Sequence, residues 1–288
     1  MRECMSAQSK ILLIAGQQKA GTTSLYHWLS LHPMIQAGKF KETRFFVEEG
    51  SALRRRKVWS GENLADFEAL FGPPADKFLL DASPDYYSSP VAVSLPNQLR
   101  QVSAIVIVRD PLERLQSSYE FFRQRGEIAP AVDFSEWIKL QNQLAVSMET
   151  PAQMRALDQC LPGHLEAWKA SYGRRLLVLD FDSLRHEPQE VLFRVASWLD
   201  IDPDPFRASA VRSHNRTMNS RAPRLMRVYV RLHRFFSDAT AHLPGSRGAL
   251  SFVGRLIRSF LNSKVDANKP QADAEASDII KRWSSSPK

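Results

Sequence analysis

The stretch "ILLIAGQQKAGTTSLYHWL" (residues 11 to 29) constrains the fold more than any other. Residues 11 to 15 form a short, unbroken apolar run, the pattern of a strand buried on both faces. Gly16 and Gly21 bracket a tight turn. From Thr22 onward Leu25, Trp28 and Leu29 recur at helical spacing, and the helix is expected to stop at His32 because Pro33 disfavours helix before it. Strand, glycine loop and helix in this order point to an anion site, where backbone N–H groups and the helix N-terminus face the ligand; the plainer alternative is an ordinary glycine turn before a helix, with an exposed lysine. In the loops of nucleotide triphosphatases, G-x-x-x-x-G-K-[ST], a lysine follows the second glycine. Here the glycine spacing is kept, but Thr22 occupies the lysine position and Lys19 lies inside the loop.

Further strands are expected in "KFLLDAS" (77 to 83), "AIVIVRD" (104 to 110) and "RLLVLDF" (175 to 181). Helical patterns run at about 62 to 71, 112 to 125, 134 to 148, 163 to 172 and 188 to 199. This alternation implies a three-layer α/β fold of P-loop type, with a parallel sheet of about five strands flanked by helices. No internal repeat is present. We expect one domain over residues 1 to 263, closed by a helical C-terminal lid at about 221 to 263. Residues 264 to 288 read as a polar, weakly ordered tail. Cys4 and Cys160 make no disulfide framework, the start lacks the apolar core of a signal peptide, and no run approaches a membrane span. A cytoplasmic location is the expectation.

A second motif is "VRDPLERLQSSYEFF" (108 to 122). Arg109 ends a buried strand, where ligands gather in open α/β sheets. Ser117, eight residues later, lies two turns into the next helix. An arginine and a hydroxyl make a natural clamp for a second, separate phosphate. A strand-end arginine paired with Asp110 and a surface serine would read the same way in isolation.

Together the two motifs resemble the sulfotransferases that use 3′-phosphoadenosine 5′-phosphosulfate (PAPS). "GQQKAGTTSLYHWLSLHP" is similar to the 5′-phosphosulfate loop and following helix of that family, and "RDPLERLQSSY" to its 3′-phosphate motif. Weaker matches continue in "KETRFF" (41 to 46), "DASPDYY" (81 to 87) and "LDFDSLRHEP" (179 to 188), so the resemblance covers roughly residues 10 to 200. It implies that Lys19, Gly21, Thr22 and Thr23 bind the 5′-phosphosulfate, and that Arg109 and Ser117 bind the 3′-phosphate. It also implies that Lys19 stabilises the leaving phosphate. A monoanionic sulfuryl group needs less charge compensation than a phosphoryl group, so no metal is expected, and no residues show metal-ligand spacing.

The acceptor hydroxyl needs a base. "KETRFF" resembles the stretch that carries the catalytic glutamate in carbohydrate, heparan-type members, which points to Glu42 just beyond the second strand. Pairing with Lys39, Lys41 or Arg44 as a surface carboxylate is the plainer alternative. His32 is the rival base, although its place at a helix end suits capping. Heparan-type members carry a lysine where Ala82 stands, so that basic contact is missing or supplied by Lys41. Ser83 and Tyr86 are candidates for lining the acceptor site, with a structural strand-end turn equally open. Asp182 replaces the family's more usual glutamate in a segment read as structural.

The net charge of +8 is concentrated at one end. Residues 221 to 264 hold eight arginines and one lysine against Asp238, and the remainder of the chain balances. Arg224, Arg227, Arg231 and Arg234 share one helical face beside an apolar stripe. This face is either a solvated edge or a surface for an anionic saccharide or for a membrane carrying a lipid-linked acceptor. Arg216 and Arg221 could supply the basic loop that family members bring onto the nucleotide. The reading is therefore transfer of a sulfuryl group from PAPS to an acceptor hydroxyl of a carbohydrate, glycolipid or secondary metabolite. The rivals are an ATP-dependent P-loop kinase and a non-enzymatic basic module binding membrane or nucleic acid. Nucleic acid is not expected as a partner, because the core is charge-neutral and carries no aromatic-basic RNA motif.

Overall fold

The unbroken apolar run at the start of the chain is buried on both sides. In the computed structural model, which describes residues 9–49, 57–72, 76–125, 127–144, 156–207, 219–220, 262–263 and 269–286, it forms strand β1 (Lys10–Gly16). Four parallel strands join it: β2 (Ile35–Ala37), β3 (Phe78–Asp81), β4 (Val102–Val108) and β5 (Leu176–Asp180). Their order is β2-β3-β1-β4-β5. The chain thus runs from β1 to the edge strand β2, returns through β3 to the flank of β1, and then crosses to β4 and β5 on the other side. That reversal places the switch point of the sheet between the carboxyl ends of β1 and β4, where open α/β sheets bind ligands.

The helices are α1 (Thr22–Leu29), α2 (Leu64–Glu68), α3 (Pro90–Ser94), α4 (Pro111–Gln124) and α5 (Phe134–Leu144), followed by α6 (Pro162–Tyr172), α7 (Phe181–His186), α8 (Pro188–Leu199), α9 (Asp204–Arg207) and α10 (Ala274–Ser285). Leu12 and Ile14, with Ile105 and Ile107, face α1 and α8 through Leu25, Leu29, Leu192 and Val195. The alternate residues Ile11, Leu13, Ala104 and Val106 face an aromatic layer of Phe45, Phe46, Phe67, Tyr86 and Trp168. Side chains that alternate along buried strands fill both layers, which is the three-layer arrangement expected.

A third apolar cluster lies beside the sheet. Leu115, Tyr119 and Phe122 of α4 pack with Phe134, Trp137 and Ile138 of α5, and with Ala276, Ile279 and Ile280 of α10. Asp273 caps α10 by accepting a 2.8 Å hydrogen bond from the Ala276 N–H. The reading of residues 264 to 288 as a weakly ordered polar tail is corrected for the described residues 269–286. Ile279 and Ile280 stand side by side among polar residues, a stripe too narrow to register as a periodic pattern, yet it docks. The basic lid at 221 to 263, with its arginine face, and the loop residue Arg216 lie outside the described residues, apart from a short antiparallel pairing of Asn219–Ser220 with Asn262–Ser263.

Candidate functional site

The loop after β1 is shaped by two glycines that tolerate no side chain. Gly16 (φ +150°) would place a Cβ 2.6 Å from the Tyr87 Cβ, and Gly21 (φ +83°) would place one 2.8 Å from Leu184 Cδ2. Gly21 is the N-cap of α1 and supplies no side-chain cap. Among the described residues no side chain caps the Thr22 and Thr23 N–H groups, which face outward for an anion. Thr22 is buried and Thr23 half-buried at the head of that helix.

The second motif explains itself residue by residue. Arg109 follows β4, Asp110 caps α4 by accepting a 2.8 Å hydrogen bond from the Glu113 N–H, and Pro111 takes the first helical position. Asp110 is thereby committed to the helix, and the arginine is left to face the crevice. Its Nη1 donates to the Lys19 carbonyl oxygen at 2.8 Å, and its Nη2 to Glu113 Oε2 at 3.3 Å. Its plane lies 4.2 Å from the Phe181 ring centroid. Burial and the nearby positive charge of Arg185 lower the Arg109 pKa, against the opposing pull of Glu113. Arg109 Nε is buried with no hydrogen-bond partner among the described residues. A donor left unmet in this way suits an anionic ligand.

Lys19, in a left-handed conformation (φ 64°), holds its ammonium 4.4 Å from the Phe121 ring centroid. Burial, then the like charges of Arg109, Arg125 and Lys41, lower its pKa to about 8. No carboxylate pairs with it among the described residues. The surroundings of Lys19 are thus electropositive.

Helix α4 connects the two clamps. Glu113, Ser117 and Phe121 recur at intervals of four and share one face. The first touches Arg109 and the last lies under Lys19. Half-buried Ser117 falls between them, on the same side of the crevice.

Glu42 sits in a basic bracket. Lys41 Nζ is 3.1 Å from its Oε1 and Arg44 Nη2 is 3.2 Å from its Oε2. Arg44 is itself held by buried Asp85 at 2.7 Å. Lys41 Nζ also lies 3.3 Å from the Ala82 carbonyl oxygen. The ammonium of Lys41 therefore stands at the backbone where the lysine of heparan-type members is missing. The positive charge of Lys41 is also among those that lower the Lys19 pKa, after burial, Arg109 and Arg125.

The structure shows what occupies Ser83 and Tyr86, where the sequence left acceptor lining and a structural turn equally open. Tyr86 is fully buried, donating to Asp81 Oδ2 at 2.5 Å and accepting from the Phe45 and Phe46 N–H groups at 2.9 and 3.2 Å. Ser83, also fully buried, donates to Asp81 Oδ1 at 3.0 Å and accepts from the Arg44 N–H at 3.1 Å. Both are spent on the buried scaffold under "KETRFF". His32, the rival base, is buried; its Nδ1 accepts from the Met34 N–H and its Nε2 faces the Asp202 carbonyl oxygen at 2.8 Å. It ties the end of α1 to the chain before α9.

The sequence reading missed Gln17 and Gln159. Gln17 Oε1 accepts from the Arg109 N–H at 3.1 Å, and Gln17 Nε2 donates to the Gln159 carbonyl oxygen at 3.0 Å. Gln159 Oε1 accepts from the Gln18 N–H at 2.9 Å. These amides brace the loop, and no pattern in the sequence singles them out. Phe121 and Phe181 were also missed, because an aromatic ring at helical spacing reads as core.

Residues 9–228 match the family model of the sulfotransferase domain. The chain belongs to the sulfotransferase domain family. The bifunctional heparan sulfate N-deacetylase/N-sulfotransferase 1 of Homo sapiens is 30% identical over 204 residues, which cover 66% of this chain and 22% of the human protein. The Caenorhabditis briggsae protein of the same name is 26% identical over 217 residues, covering 70% of this chain and 24% of its own length. The chain thus spans about a quarter of the length of these relatives. A sulfotransferase from Alicyclobacillus acidocaldarius has a similar fold, with a TM-score of 0.60 at 17% identity over 82% of this chain and 94% of that one.

Proposed function

We propose that this chain transfers the sulfuryl group of PAPS to a hydroxyl of a saccharide acceptor. The observation that carries the reading is the juncture of two anion clamps, Arg109 hydrogen-bonded to the backbone of Lys19, at the switch point of the sheet. A nucleotide with phosphates at both its 3′ and 5′ positions matches two clamps held this close. Membership of the sulfotransferase domain family supports PAPS as the donor. The names of the heparan sulfate relatives support a saccharide acceptor.

The residues present fit such a donor. The open N-terminus of α1 and the ammonium of Lys19 receive the 5′ group, while Arg109 and Ser117 receive the 3′-phosphate. When bound, PAPS supplies the sulfuryl group, its bond to the 5′-phosphate oxygen breaking as the acceptor oxygen bonds to sulfur. Lys19 stabilises the charge gathering on the 5′-phosphate. Glu42 accepts the proton of the hydroxyl, and Lys41 and Arg44 hold the carboxylate in place. The basic segment 221 to 264 would draw in an anionic saccharide or lie against a membrane holding a lipid-linked one.

The test is transfer of radiolabelled sulfate from PAPS to a panel of heparan-type saccharides. One set carries free hydroxyls with N-acetylated amines; another carries free amines, because the relatives are named N-sulfotransferases. Label on the hydroxyl set supports the proposal. Label confined to the amines moves the acceptor atom to nitrogen, and no label on any saccharide sinks the acceptor class.

A further inference from the structure

The C-terminal segment reaches the candidate nucleotide clamp. Glu113, which shares Arg109 Nη2 at 3.3 Å, is held on its other oxygen by Lys269 Nζ at 2.5 Å. The residue after Lys269 is anchored too, for the Pro270 carbonyl oxygen accepts from Gln116 Nε2 on α4 at 2.7 Å. Beyond it Asp273 meets Lys139, Trp283 Nε1 donates to Asn142 Oδ1, and Ile279 and Ile280 enter the third apolar cluster. Lys269 is thus delivered to α4 by a docked element.

This position answers an electrostatic difficulty. A carboxylate beside Arg109 repels any phosphate that Arg109 binds, and it occupies one of the donors the phosphate needs. A second cation on the carboxylate offsets both effects. We propose that Lys269 is a positioning residue of the nucleotide site. It neutralises and retains Glu113, so that Arg109 Nη2 is free to turn to the 3′-phosphate. Glu113 is shared by Arg109 and Lys269 in the structure and is held by Lys269 alone once the phosphate takes Arg109 Nη2. Consistent with this, the hydrogen bond from Lys269 first, with Arg109 adding to it, holds the Glu113 carboxyl below the usual carboxylate range against the opposing effect of burial. The inference rests on the reading of Arg109 as the 3′-phosphate ligand.

The experiment compares calorimetric binding of adenosine 3′,5′-bisphosphate and adenosine 5′-monophosphate to full-length variants of matched melting behaviour. Lys269→Ala is expected to weaken the bisphosphate about fivefold, the size of one partly exposed charge pair, and to leave the monophosphate unchanged. Lys269→Arg retains affinity. Adding Glu113→Gln to Lys269→Ala restores the bisphosphate to within about twofold of wild type, because the repelling charge is gone. Equal weakening of both nucleotides would mean that the C-terminal segment only supports the fold, and would overturn the proposal. So would unchanged bisphosphate binding in Lys269→Ala, or a double variant no better than Lys269→Ala. A wild-type protein that binds the bisphosphate no better than the monophosphate overturns the Arg109 assignment itself, which is a different failure.

Discussion

The guanidinium of Arg109 donates a 2.8 Å hydrogen bond from Nη1 to the main-chain carbonyl oxygen of Lys19. Ninety residues apart in sequence, the two motifs are fastened to each other before any ligand arrives. Replacing Arg109 with alanine therefore removes a phosphate contact and a brace of the loop. Loss of one charge-assisted contact is worth about 1.5 to 3 kcal/mol, or roughly 10- to 150-fold in affinity. We expect that loss for adenosine 3′,5′-bisphosphate and a smaller one for adenosine 5′-monophosphate, read by calorimetry. Equal losses would assign Arg109 to the brace alone.

Lys19 gives a pH dependence with a definite sign. Its pKa is about 8 in the folded protein, set first by burial, against 10.5 for an ordinary lysine. Between those values the folded state binds fewer protons than the unfolded one. Burial of Lys19 thus costs stability below about pH 8, and the cost fades as pH rises toward 10.5. A bound anion restores the charge, so nucleotide binding near pH 8 takes up a proton. Affinity is expected to fall about tenfold per pH unit above pH 8, with a binding enthalpy that varies with the buffer. Lys19→Met abolishes turnover and also this slope; a slope that persists belongs to another group.

Glu42→Gln keeps a side chain of the same size between Lys41 and Arg44 but cannot take a proton. Turnover should fall by about 100- to 10,000-fold, the usual worth of a general base. Bisphosphate affinity should stay near wild type. Wild-type turnover in this variant would return Glu42 to the role of a paired surface carboxylate.

Tyr86→Phe separates the structural role of Tyr86 from a role in lining the acceptor site. The hydroxyl joins Asp81 to two main-chain N–H groups in a fully buried network. Its loss should cost about 1 to 3 kcal/mol of stability, seen as a lower denaturant midpoint, with acceptor KM unchanged. A raised KM without loss of stability would put Tyr86 back in the acceptor site.

The sheet was legible in the sequence wherever a strand was an apolar run. β1, β3, β4 and β5 lie where expected to within a few residues. β2 was expected only as a second strand before Glu42, without bounds, because it is a three-residue edge strand of mixed burial, too short to show a period. In the site, Lys19 and Arg109 were legible because each sits at a strand end inside a motif with its own local logic. Ser83 and Tyr86 were ambiguous because a strand-end turn and a pocket rim use the same residue types. Only the contact with Asp81 separates them. Gln17, Gln159 and Lys269 were invisible for a different reason: each works through a partner on another element, and only tertiary packing brings the pair together.

The most direct test of the central claim, that one nucleotide bridges both clamps, is thermal unfolding of the wild-type protein with three ligands. These are adenosine 3′,5′-bisphosphate, adenosine 5′-monophosphate and ATP with Mg²⁺. A ligand at about 100 times its Kd adds about 2.7 kcal/mol, a readily measured rise in Tm. The account predicts a large rise with the bisphosphate in the absence of metal, and little with the others. A rise only with ATP and Mg²⁺ would contradict it and return the Lys19 loop to a nucleotide triphosphatase or kinase role.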